Sequence, residues 1–132
     1  MEKVFYNKEG KATAYLAQDY RGTIYRFDGV PVAYLFEGSH IYGINGRHLG
    51  WYKDERIYDQ DGARVGFTSA TCPVPIGKTP PRTKEAAVDE IRPRWSAPPP
   101  PKLGFHMAAQ ELADFLNAGA VSRWREPSSQ QE

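Results

Sequence analysis

Few side chains in this sequence could act on a substrate. There are three histidines, His40, His48 and His106, and one cysteine, Cys72. His40 and His48 flank one short segment and could begin a metal site. Such sites take three or four converging ligands, and the sequence has no CxxC, no HExxH and no second cysteine to complete one. The histidines therefore read as surface or rim positions. A cysteine nucleophile needs a neighbouring base. Cys72 lies in Thr71-Cys72-Pro73-Val74-Pro75, where the composition changes, and it reads as a small buried or half-buried thiol. Asp59-Gln60-Asp61-Gly62 opens like a calcium loop, but Ala63-Arg64-Val65 follows where more oxygen ligands are needed. Turn chemistry is the better reading. GxSxG, P-loop and dinucleotide fingerprints are absent from the sequence. No catalytic residue, metal or cofactor is expected.

The elements around these residues are more informative, because Asp61-Gly62 belongs to a repeat. Four glycines, Gly10, Gly29, Gly46 and Gly62, are spaced by 19, 17 and 16 residues. Four positions before each stands Tyr6, Tyr25, Tyr42 or Tyr58, and one further back Phe5, Ile24, Ile41 or Ile57. Glu9, Asp28, Asn45 or Asp61 precedes the glycine. Four after it comes Ala14, Ala33, Gly50 or Gly66, and then an aromatic, Tyr15, Tyr34, Trp51 or Phe67. Each copy reads as strand, tight turn, strand. Asp28-Gly29, Asn45-Gly46 and Asp61-Gly62 suit a two-residue type I′ turn, while Glu9-Gly10 suits a longer loop.

A two-residue loop at Asp28-Gly29 predicts Phe27 opposite Val30 and Tyr25 opposite Val32. One face would then carry Tyr25, Phe27, Val30, Val32 and Tyr34, and the other Ile24, Arg26, Pro31, Ala33 and Leu35. In every copy the two aromatics share one face. The apolar residue before Tyr shares the other face with the small residue. Recurrent small residues mark crowding, which places them near an axis and the aromatics between neighbouring units. A lone hairpin is marginal in water. The predicted fold is thus mainly β: four tandem hairpins in a pseudo-four-fold closed meander that hides its edges. This pattern over residues 1–72 resembles the 4-fold beta flower domain. The resemblance implies a four-hairpin arrangement and supplies no catalytic residues. Copy one departs from the pattern at Lys8-Glu9-Gly10.

The second half differs in composition. Residues 73–104 read as a Pro-rich basic linker or tail, with polyproline II at Pro98–Pro101 and a short helix over 83–91, capped by Thr83 and stopped by Pro93. An amphipathic helix is expected over 105–118, within a segment 105–119, from Met107, Leu112, Phe115 and Leu116, with Gly119 as its C′ residue. Residues 120–132 read as a polar, disordered tail. Trp95, between Arg92-Pro93-Arg94 and Ser96, either docks on its own domain or anchors a partner. Trp124 repeats the idea.

Charge narrows the function classes. Seventeen basic residues face sixteen acidic ones, and residues 1–72 carry nine of each, a poor footprint for nucleic acid or an anionic membrane. The N-terminus MEKVFYNKEG has no apolar signal core, so a cytoplasmic protein is expected. The leading expectation is a non-enzymatic interaction or assembly module. Its candidate partner-binding residues are Arg92, Arg94, Trp95, Met107, Leu112, Phe115, Leu116 and Trp124, used toward another protein or a second copy. Weak nucleic-acid binding through the basic tail and tyrosines is the first alternative, and a small-ligand site at the repeat axis the second.

Overall fold

Each of the four sequence copies folds into one hairpin. The computed structural model describes residues 3–88 and 91–121. Strands β1 (Lys3–Tyr6) and β2 (Ala12–Leu16) form hairpin 1, and β3 (Thr23–Arg26) and β4 (Pro31–Phe36) hairpin 2. Hairpin 3 is β5 (His40–Gly43) and β6 (His48–Lys53), and hairpin 4 is β7 (Arg56–Tyr58) and β8 (Arg64–Phe67). The strands pair in chain order and β8 closes on β1, giving an antiparallel eight-stranded barrel. Among the described residues, the closing seam pairs Tyr6 with Phe67. Lys3 Nζ reinforces it by donating to the Glu55 carboxylate, which also accepts from Thr68 Oγ1.

The barrel interior uses the apolar and small residues of each copy. Phe5 faces Ala14, Ile24 faces Ala33, Ile41 faces Gly50 and Ile57 faces Gly66. The four large side chains are fully buried and leave room opposite only for Ala or Gly. The aromatics point outward and pair across the junctions between hairpins: Tyr15 with Tyr25, Tyr34 with Tyr42, Trp51 with Tyr58, Tyr6 with Phe67. Tyr15 and Tyr25 stack at 5.8 Å between centroids, Tyr34 and Tyr42 at 6.0 Å.

The hairpin turns correct the type I′ expectation. In each, the fourth turn residue is the glycine, whose N–H donates three residues back: Gly10 to Asn7, Gly29 to Arg26, Gly46 to Gly43, Gly62 to Asp59. Only the glycine has positive φ, between 82° and 93°. This is a type I turn followed by a one-residue bulge. The extra residue shifts the register, so Tyr25 pairs with Pro31, not Val32, and Val32 joins the interior cluster. Asx side chains hold the turns. Asn7 Oδ1 accepts from the N–H groups of Glu9 and Lys11, and Asp59 Oδ1 from those of Asp61 and Ala63. A two-residue loop with both φ values positive does occur, at Asp54-Glu55 between Lys53 and Arg56.

The described residues of 73–104, a stretch expected as a linker or tail, lie as a strap along the outside of the barrel. The helix expected over 83–91 is absent from the described part of that stretch, because the backbone there serves the barrel. Thr83 N–H donates to Phe27 O and Ala86 N–H to Gly29 O, which ties this stretch to the barrel turns. The helix expected over 105–118 shrinks to α1 (Leu112–Asn117). Ahead of it, Arg64 N–H donates to His106 O and Ala108 N–H to Arg64 O, which holds 106–108 extended beside β8. Leu112, Phe115 and Leu116 enter the interior cluster at the turn end of the barrel, worth roughly 1.5–3 kcal/mol each. Gly119 does not supply a positive-φ cap. It lies against the Gly43 Cα, where a Cβ would not fit.

Candidate functional site

The strap follows the barrel in a nine-residue step. The amides of Gly77, Ala86, Trp95 and Gly104 donate to the carbonyls of Gly10, Gly29, Gly46 and Gly62 at 2.8–3.0 Å. A Cβ at the same four glycines would strike the carbonyl oxygens of Pro75, Lys84, Pro93 and Lys102. Both sets repeat every nine residues. Arg92 N–H adds a bond to Ile44 O, as Thr83 does to Phe27 O. Pro101, one step later, has no N–H to give. Neighbouring hairpins are about two strand spacings, ~10 Å, apart. Nine extended residues reach ~30 Å, so the strap dips over the outer wall between contacts.

There it covers the outer aromatics, and its side chains match what they cover. Tyr15 hydroxyl donates to Glu85 at 2.7 Å, and Arg94 donates to Tyr34 hydroxyl at 3.4 Å. Nine residues after Arg94, Leu103 shares a groove with Trp51, which has no hydroxyl. Arg82 lies 3.8 Å over the Tyr15 ring and Arg94 3.9 Å over Phe36. Val88 packs on the outer clusters of hairpins 1–2 and 2–3, and Tyr42 hydroxyl donates to Trp95 O. Burial raises the Tyr25 hydroxyl pKa, with the Glu85 charge adding to it. All eight repeat aromatics are buried. Buried in this way, they offer no open ring face on which a base could stack.

The expected partner-binding residues scatter. Leu112, Phe115 and Leu116 are buried inside their own barrel, where α1 plugs its apolar opening. Arg92, Arg94 and Trp95 belong to the strap. Trp95 is 60% exposed with the Arg47 guanidinium 5.7 Å from its ring. Met107 is partly exposed, and two residues before it stands Phe105, which no sequence pattern singles out. Phe105 is 84% exposed with Arg64 4.8 Å from its ring. Trp124 lies outside the described residues.

His40 and His48 meet on the outer wall. His40 Nδ1 and His48 Nε2 are 3.0 Å apart, and the Gln60 amide lies 3.1 Å from His48 Nδ1. His48 is packed edge-on against Tyr42 and Trp51. Burial, then the His40 charge, lowers its pKa to about 4. No three His, Cys, Asp or Glu side chains converge as metal ligands among the described residues. Cys72 is half-buried and points at the Asn7 carbonyl. No described helix is long and apolar enough to cross a membrane.

A family model described as 4-fold beta flower protein matches residues 3–116. The match therefore runs past residue 72, through the strap and into α1. No curated protein and no solved structure matches the chain. The family description is of an architecture and names no reaction.

Proposed function

The chain belongs to the 4-fold beta flower family, and on that premise we propose that it is a non-enzymatic protein-interaction module. Docking is through the turn end of the barrel, in the cytoplasm. The supporting observation is the pair of exposed rings on neighbouring hairpins, Trp95 and Phe105, each with a barrel arginine against it. Tryptophan and arginine dominate interface energetics. The backbone beneath these rings is already fixed: Trp95 N–H bonds Gly46 O, and Gly104 N–H bonds Gly62 O. Binding would therefore order little besides the rings themselves. In this reading the tail is no free docking arm. It carries two anchors to defined places.

A photo-crosslinking residue at Phe105 tests this in cells expressing the full chain. Lys78 is the control, because it occupies the same strap position on hairpin 1. Discrete protein adducts at 105, absent at 78 and lost with Trp95→Ala, are expected. Equal adducts at both positions, or none at 105, would sink the proposal.

A further inference from the structure

The outer wall carries symmetry-related grooves beneath the strap, and two of them are furnished differently. On hairpin 3 the groove is roofed by Pro100, Pro101 and Leu103. On hairpin 2 the same strap positions are Ile91, Arg92 and Arg94, and the groove encloses about 760 Å³. Strap docking does not require these arginines, since Pro101 and Leu103 occupy their places one step later.

Arg21 also lines the hairpin 2 groove, so three arginines line it against one carboxylate among the described residues, Glu37. Two are held in place: Arg21 by donating to Val88 O at 3.4 Å, and Arg94 by the Phe36 ring and Tyr34 hydroxyl. Arg92 has no side-chain hydrogen bond or ion pair among the described residues. At the mouth stands Tyr20, 93% exposed, with Arg21 5.7 Å from its ring. Fixed guanidinium forks match phosphate oxygens, an open ring face accepts a flat base, and the volume suits a small ligand.

We infer that this groove binds a nucleoside phosphate. The phosphate lies among Arg21, Arg92 and Arg94, and the base stacks on Tyr20. The groove takes Tyr20, Arg21 and Glu37 from the connecting loops, and neither Trp95 nor Phe105 lines it. It stands or falls independently of protein docking through those two rings.

Calorimetric titration of the full chain with AMP, adenosine, inorganic phosphate and a phosphoserine peptide at low ionic strength tests the assignment. AMP is expected to bind more tightly than adenosine or phosphate alone. Arg92→Ala should weaken it about tenfold, the scale of one lost charge-assisted hydrogen bond. Tyr20→Ala should weaken AMP but not phosphate, Glu37→Gln should tighten AMP, and Lys53→Ala in the hairpin 3 groove should change nothing. No AMP binding, adenosine binding as tightly as AMP, or an unaffected Arg92→Ala overturns the assignment. A phosphoserine peptide binding more tightly than AMP overturns it in favour of a phosphopeptide site.

Discussion

The chain circles the same axis twice, and the two circuits are held by different chemistry. The first circuit, the barrel, is specified by side chains. An Ile or Phe must face an Ala or Gly inside, and an aromatic must meet a Tyr outside. The second circuit, the strap, is specified by main-chain groups, one amide and one carbonyl every nine residues. A contact between side chains constrains residue type at every copy. A contact between backbones constrains only the path, and most residues can supply it.

The end of the second circuit gives the largest test. Phe115 is buried where α1 plugs the barrel and lies against Gly50. Phe115→Ala should cost about 3–5 kcal/mol in urea unfolding. It should also loosen the strap, because α1 pins the end of it. Near-UV circular dichroism reads the outer aromatics. An unchanged near-UV signal alongside that loss would show that the two circuits are not mechanically joined.

A second test separates the circuits at one kind of residue. Gly38 and Gly46 both have positive φ, but a Cβ on Gly38 meets nothing, whereas on Gly46 it meets the Pro93 carbonyl. Gly38→Ala should cost about 1–2 kcal/mol, the left-handed backbone penalty alone. Gly46→Ala should cost ~2 kcal/mol more as the strap is pushed away. Equal costs would mean that the strap adds nothing at its contact points.

This contrast explains what was legible in the sequence. The barrel could be read because Ile24-Tyr25, the turn glycines and the small–aromatic pair recur as residue types. The turn type could not, since Asp-Gly serves both a two-residue loop and a bulged one. The available signal was an Asx residue three before the glycine, as at Asn7 and Asp59. The strap hid because its repeating atoms are amides and carbonyls. Gly77, Ala86 and Gly104 leave a faint small-residue trace every nine positions, and Trp95 breaks it. The helical pattern after residue 105 was overread for a related reason: periodicity cannot foresee that His106 and Ala108 bond to β8. The hairpin 2 groove was missed because Tyr20, Arg21, Arg92 and Arg94 are brought together only by the strap.

Acid should loosen the outer wall before the interior. His48 has a pKa of about 4, below the usual 6.5 because burial disfavours its charged form and the neighbouring His40 adds to that. The unfolded chain therefore binds the extra proton first. Stability is full above about pH 6.5, falls as pH drops toward 4, and levels off below that. The loss from this group is on the order of 2 kcal/mol. His48→Gln should flatten the melting-temperature profile over that window. An unchanged slope over that window would remove His48 as its cause, since Glu55 and Asp28, whose carboxyl pKa values are lowered by Lys3 and Arg26 respectively, lose stability only as pH falls below the ordinary carboxylate range.

The smallest effect gives the finest resolution of strap against barrel. Tyr15 is fully buried, and its hydroxyl donates to Glu85 across the two circuits. Tyr15→Phe and Glu85→Gln should each cost about 1 kcal/mol, and the double variant less than their sum. The coupling measures a side-chain bond within a contact otherwise made by backbone. A second pair, Trp51 and Leu103, supplies the contrast: Leu103→Glu brings a carboxylate to a ring with no hydroxyl and should destabilise. If Leu103→Glu is tolerated and Tyr15 shows no coupling to Glu85, strap side chains are indifferent to the surface they cover. Strap register would then rest on main-chain bonds alone. If both effects appear, the strap reads the barrel residue by residue, and its varied sequence is the complement of the variation in the aromatics beneath it.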